Sequence, residues 1–261
     1  MELTTRTFNK IREIVYQRSG IALNENKMAL VSARIGKRLR ALELPDYERY
    51  LEFLNQDKSG DELVQLLDVI STNVTSFFRE NDHFEFIREI FPEWIESGQR
   101  RFRFWSAACS TGEEPYSLAM TLKESNPGKK IDAKILATDL STRVLEQSIR
   151  GVYKEKNLNT VTRSLRLKYF DSYSEDGKQY FQVKEILKKM VVFRRLNLSK
   201  PPFPMKGPLD AVFNCNVMIY FDNAGRKKLI DEIYRLLKPG GCLILGHAES
   251  LAGIPSDFKS V

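Results

Sequence analysis

Two adjacent acids, Glu113 and Glu114 of "STGEEPYS", follow the apolar run "RFRFWSAA" and open the helix-like run "EEPYSLAMTLKES". A strand, a turn with a glycine and a helix in that order begin the nucleotide loop of doubly wound α/β folds. Backbone N–H groups at such a helix start favour anions, but two carboxylates there oppose a pyrophosphate. They suit a ligand with no phosphate and a positive charge. S-adenosylmethionine, with its sulfonium and ammonium groups, is such a ligand. Ser110 and Glu113 also stand at capping-box spacing, and Pro115 suits a first helical turn. Helix capping is therefore a second use for the same acids, and Glu113 is the one assigned here to the ligand.

The next candidates lie at the ends of other strand-like runs. "ILATDL" ends on Asp139, placed where an acid takes ribose hydroxyls in dinucleotide-type folds. Asp139 also precedes a helix, so it fits an N-terminal cap equally well. "LDAVFNCNVMIYF" exits through Asn214, Cys215 and Asn216, at the carboxyl end of its strand. Tyr220 follows, either facing the same cleft or packing on its helix. The three cysteines are scattered with no C-x-x-C pair, which argues against a metal site and a disulfide framework. The two histidines, His83 and His247, read as surface or packing residues.

The elements that must hold these residues follow from periodicity. Apolar residues recur at helical spacing from residue 5 to residue 72, interrupted by "SG" at 19–20 and "LPD" at 44–46. From residue 84 onward short apolar runs alternate with helical ones, the pattern of a parallel sheet covered by helices. The expected fold is α/β: a Rossmann-like, doubly wound, mostly parallel sheet with a small β-subdomain inserted, preceded by an all-α N-terminal domain. The boundaries are 1–72 for the helical domain, 73–83 for a linker reaching the cofactor site, and 84–261 for the α/β domain. The β-subdomain falls at 166–195, where "KQYFQV" and "MVVFRRL" read as two short strands able to pair.

Charge narrows the partner class. The net charge is +7, but residues 1–40 hold nine Lys/Arg against three Asp/Glu, and residues 150–200 hold thirteen against five. Such patches face acidic partners, protein or nucleic acid. On the second helix Lys27, Arg34, Lys37 and Arg38 form a basic stripe beside the apolar one. No run of about 18 apolar residues and no signal-peptide pattern occurs, so a cytoplasmic protein without membrane insertion is expected.

Six segments together, "STNVTSFFRE", "WSAACSTGEEPYSLAM", "ATDLS", "RGVY", "FNCNVMIYFD" and "LKPGGCLILGHAES", resemble the chemotaxis receptor glutamate O-methyltransferases of the CheR type. The likeness spans nearly the whole chain. It implies S-adenosylmethionine as methyl donor, S-adenosylhomocysteine as product and no metal. It implies glutamate side chains of the cytoplasmic methylation helices of transmembrane chemoreceptors as acceptors. By motif position it assigns Asn73, Thr75, Arg79, Glu113, Asp139, Asn197, Leu198, Asn214, Cys215 and Asn216 to the cofactor. Arg79 and Tyr220 are expected to orient the acceptor, and the basic stripe to grip the acidic receptor bundle. One departure stands out: the family commonly reads "CRN" where this chain reads "NCN", so Cys215 replaces an arginine. The family commonly continues beyond a segment like "HAESLAG" into a final strand at the sheet edge.

The reaction class is consistent with these groups. A glutamate carboxylate is ionised at neutral pH, so methyl transfer to it requires alignment and exclusion of water rather than a strong base. Enzymes that methylate exocyclic amines of nucleic acid carry an Asn/Asp-Pro-Pro-aromatic motif after the fourth strand. Here "KPPFP" precedes that strand, so nucleic acid is not the expected partner. A monomer is expected.

Overall fold

The computed structural model describes residues 2–70, 74–126 and 128–260. Four helices build the N-terminal unit: α1 (Thr5–Ser19), α2 (Met28–Ala41), α3 (Tyr47–Gln56) and α4 (Asp61–Ile70). Their apolar faces bury Phe8, Ile11, Val15, Val31, Ile35, Tyr50 and Leu66 in one core. Thr4 and Asp46 cap α1 and α3 through their side chains, as short polar residues at that position do. α1 ends at Gly20 (φ +71°), where a Cβ would lie 2.5 Å from Ser199 Cβ. Glycine there serves both the left-handed turn and close approach to the α/β domain.

The α/β domain begins with α5 (Asp82–Glu96), β1 (Arg101–Ser106), α6 (Glu113–Glu124), β2 (Asp132–Asp139) and α7 (Thr142–Arg150). Then come β3 (Val152–Lys154), α8 (Arg163–Tyr169), β4 (Phe170–Glu175), β5 (Lys178–Val183) and α9 (Glu185–Lys188). The chain closes with β6 (Val191–Arg195), β7 (Leu209–Asn214), α10 (Asn223–Leu236) and β8 (Leu237–Leu245). The main sheet has the order β6-β2-β1-β7-β8, and every pairing in it is parallel. Chain order reverses between β1 and β7, so the crevice beyond their carboxyl ends is the topological switch point, the place where such sheets bind ligands.

The small subdomain differs from the sequence expectation. "KQYFQV" is β5, the centre of an antiparallel sheet ordered β3-β5-β4. "MVVFRRL" does not pair with it. It contains β6, which joins the main sheet beside β2 in the register Ile135↔Val191. The subdomain therefore begins earlier, at "VYK", and ends before β6. Two short apolar runs carry no information about which neighbour each will meet, and β3 and β4 alternate too weakly to be read alone. "KPGG" also differs: it lies within β8, where the register slips between Leu209↔Leu237 and Ala211↔Cys242. Three extra residues of β8 stand out there, with Gly240 left-handed (φ +73°), so the expected turn falls inside the strand rather than before it.

Candidate active site

A cleft lies at the switch point, enclosing about 1280 Å³ with its open mouth included. The loops after β1, β2, β6 and β7 form its floor. The segment 74–80 and the N-terminal domain form its walls, the latter through Ile21, Leu23, Lys27, Leu30 and Arg34. The two domains are joined by polar bonds at that wall. Asn197 Nδ2 donates to the Arg18 carbonyl at 2.7 Å, the Ala22 amide to the Tyr220 carbonyl at 2.8 Å, and the Tyr16 hydroxyl to Asp222 Oδ2 at 2.6 Å.

The opening loop separates its two acids. Glu113 is buried away from the cleft, accepts from the Thr111 hydroxyl at 2.6 Å, and has its carboxyl pushed up by burial. Glu114 lines the cleft instead. Burial pushes its carboxyl up to about 7, although hydrogen bonds from Ser106 and Cys215 act to lower it. The structure thus sets Glu114 on the cleft and turns Glu113, the acid expected there from the sequence, away from it. Neighbouring residues at a helix start point about 100° apart, and only the packed structure says which of them faces inward. The single glycine has a packing role: at Gly112 (φ +95°) a Cβ would lie 2.8 Å from the Tyr153 hydroxyl and 3.0 Å from Ser148.

Asp139 lines the cleft and accepts from the amides of Ser110 (2.9 Å) and Ser141 (3.0 Å). Burial raises its carboxyl against those bonds, which pull it down. It thus ties the loop after β1 to the start of α7. Ser110, which lines the cleft, is itself left-handed (φ +47°), and its buried hydroxyl has no hydrogen-bond partner within the protein. A buried polar atom of that kind awaits a ligand or water.

The opposite wall is held from a distance. Asn216 is left-handed (φ +60°) at the exit of β7. Glu249 fixes that exit: Oε2 accepts from the amides of Asn216 (2.6 Å) and Gly246 (3.0 Å), and Oε1 from those of Val217 (2.8 Å) and Met218 (2.7 Å). Glu80, also left-handed (φ +54°), accepts from Asn216 Nδ2 at 3.1 Å and from the His247 amide at 3.0 Å. Burial alone would raise its carboxyl, yet the Asn216 and His247 bonds hold it below the ordinary value. Arg79 donates to the Val74 carbonyl (2.8 Å) and to Asn216 Oδ1 (2.9 Å), setting a guanidinium at the cleft. Three strained non-glycine residues (Glu80, Ser110 and Asn216) thus ring one cleft, at about 1–3 kcal/mol each. Each is restrained by a carboxylate or an amide named above.

The remaining assigned residues sort as follows. Thr75, Asn197, Leu198, Cys215 and Tyr220 line the cleft. Burial pushes the Cys215 thiol well up, so it is not a thiolate there. Asn214 is fully buried at the end of β7 and does not reach the cleft surface; neither of its side-chain polar atoms has a protein partner. Asn73 lies outside the described residues. The basic stripe on α2 does not act as one face. Lys27 and Arg34 line the cleft: Lys27 Nζ sits 5.1 Å from the Tyr220 ring centre, and Arg34 bonds the carbonyls of Val69 and Ile70. Arg38 is engaged inside the domain, forked onto Glu62, which also accepts from the Tyr50 hydroxyl at 2.8 Å. Lys37 alone of the four is exposed. Glu80 and Glu249 had no role in the sequence reading, and Ser110 entered there only as a helix cap. Glu249 was legible only as an acid in the quoted "HAES".

Residues 73–261 match the family described as CheR methyltransferase, SAM binding domain, and residues 6–71 match its all-alpha domain. The chain belongs to the CheR methyltransferase family. It is 39% identical to a chemotaxis protein methyltransferase of Borreliella burgdorferi, over 97% of this chain and 91% of the relative. It is 36% identical to one of Escherichia coli K12, over 99% of this chain and 89% of the relative. A third, from Salmonella typhimurium, is also 36% identical, over 99% and 88%. The CheR SAM-binding domain begins at the segment that walls the cleft, and the all-alpha domain supplies Lys27 and Arg34. No helix among the described residues is long and apolar enough to cross a membrane.

Proposed function

We propose that this chain transfers a methyl group from S-adenosylmethionine to glutamate side chains in the cytoplasmic helices of transmembrane chemoreceptors. The products are glutamate methyl esters and S-adenosylhomocysteine, and the role is adaptation in chemotaxis-type signalling. The observation that carries this reading is the distribution of charge in one cleft: half-buried carboxylates within and cations at its walls. Glu114 suits the cationic methionine end of a donor, Asp139 and the unpartnered Ser110 hydroxyl suit ribose hydroxyls, and Leu198 with Ile21 and Leu23 offer apolar surface to a base. A donor so held supplies an activated methyl group. Arg79, fixed by Asn216 and the Val74 carbonyl, is placed to take an acceptor carboxylate by charge-assisted bonds. Tyr220 and Lys27 bound the same opening. An ionised glutamate needs no proton removed before attack, which agrees with a cleft offering alignment and shelter.

The test is a tritiated-methyl assay with receptor-containing membranes. Label released as methanol by mild base identifies a carboxylate ester, and a base-stable product would refute ester formation. Docking on the receptor is probed at Lys37, which is exposed, because Arg38→Glu would break the pair with buried Glu62. Lys37→Glu is expected to lower receptor methylation while cofactor affinity stays unchanged. Equal methylation at low salt would remove α2 from the receptor contact.

A further inference from the structure

Both histidines of the chain meet beside two residues of the cleft lining, Glu80 and Cys215, their ring centres 5.2 Å apart and edge to face. Glu80 joins them: one ligand atom from each of Glu80, His83 and His247 lies within 4.8 Å of the other two. His83 Nδ1 is 3.8 Å from Glu80 Oε2 and 3.7 Å from Cys215 Sγ. Imidazole, carboxylate and thiol are the donors of tetrahedral zinc sites. With bonds of about 2.0–2.3 Å, tetrahedral neighbours stand roughly 3.3–3.8 Å apart. The two His83 spacings already fall at the upper end of that range. The His247 side chain is exposed, so an ion can enter from solvent and the ring can turn to meet it.

We propose that Glu80, His83, His247 and Cys215 form a binding site for Zn²⁺ in the cleft wall. The four come from three separate stretches: the start of α5 and the turn before it, the exit of β7, and the residues after β8. This is why no ligand spacing announces the site in the sequence. Two imidazoles and a thiol select a borderline ion over Mg²⁺ or Ca²⁺, which prefer oxygen. The site bears on the cleft through Glu80. Its Oε1 accepts from Asn216 Nδ2, and Asn216 Oδ1 accepts from Arg79. Drawing the carboxylate onto a metal loosens the bond to Asn216, and with it the placement of the Arg79 guanidinium.

The full chain, stripped with chelator, is titrated with Zn²⁺ alone against a chromophoric chelator. One equivalent is expected to bind with a dissociation constant below about 1 µM. Co²⁺ in its place is expected to give visible bands of tetrahedral coordination and a near-ultraviolet thiolate band. In Cys215→Ser the thiolate band disappears and the visible bands remain. His247→Gln changes an exposed side chain, so its circular dichroism and metal-free methyl transfer should match the parent. Its zinc affinity should fall by more than the roughly 100-fold that losing a merely orienting partner can cost. No uptake at micromolar zinc, or unchanged affinity in both His247→Gln and His83→Gln, overturns the site. A thiolate band that survives in Cys215→Ser removes Cys215 from it. One equivalent of zinc should also slow receptor methylation at saturating donor in the parent and leave it unchanged in His247→Gln; equal rates with and without zinc overturn the coupling. The zinc titration needs no methyl donor, so the site stands or falls apart from the transfer reaction.

Discussion

The loops after β1 and β7 leave the sheet side by side at the switch point, yet they are held in different ways. The first is shaped by its close neighbours. Gly112 lets Tyr153 and Ser148 press against its back, and Asp139, at the end of the adjacent strand, grips its Ser110 amide. The second is shaped at long range: Glu249, more than thirty residues on, holds four backbone amides, three of them in the loop. Glu80, from before α5, ties down the Asn216 side chain. A loop supported by packing tolerates loss of one polar group, whereas a loop hung on one carboxylate does not.

The largest effect expected is therefore at Glu249. Replacing it by alanine strands several amides, at about 1–3 kcal/mol for each one left without a partner. A loss of about 3 kcal/mol in chemical denaturation is expected, together with loss of cofactor binding by calorimetry. A shift below about 0.5 kcal/mol would show that the loop after β7 holds itself, and the contrast would collapse.

Next comes the pair of acids in the loop after β1. Glu114→Gln removes the carboxylate facing the cleft and is expected to weaken S-adenosylmethionine about 10–100-fold, the worth of a hydrogen bond to a charged group. Glu113→Gln touches only the loop's own packing and should leave that affinity within about threefold. The reverse outcome would return the ligand to Glu113.

The pH dependence sharpens the same point. Burial holds the Glu114 proton up to about 7, and a cationic donor favours the ionised form. Donor affinity should be about tenfold weaker at pH 6 than at pH 8, and Glu114→Gln should lack this part of the slope. In the donor-free protein the sign is opposite. The folded state holds this proton more tightly than the unfolded chain, so Glu114's stabilising contribution is full below the ordinary carboxylate range. It is lost as pH rises through about 7. A parent and variant with the same pH profile would place the titrating group elsewhere.

The smallest effect is expected at the junction between the domains. Gly20→Ala puts a methyl group in a left-handed turn 2.5 Å from Ser199 Cβ, so the φ costs about 1 kcal/mol and the junction must also shift to relieve the contact. A modest fall in donor affinity, with the α/β domain still folded, would show that the N-terminal wall adjusts the cleft without building it.

Much of this molecule was legible in the residue order. Helical spacing along residues 5–70, strands with helices between them, and acids at the start of α6 and the end of β2 are local signals. Local periodicity and strand order are enough to specify a doubly wound sheet. Six motifs in order carried the family. What the residue order could not decide was direction and partnership. It could not tell Glu114 from Glu113, because adjacent side chains on a helix share every local property except the way they face. It could not send "KQYFQV" and "MVVFRRL" to different sheets, since strand pairing is chosen by surfaces far apart in the chain. It could not show that Arg38 is held by Glu62, that Glu80, His83 and His247 meet, or that Cys215 lies against His83. Those facts arise only when distant segments close on one crevice, because hydrogen bonding and metal ligation act over a few ångströms whatever the separation along the chain.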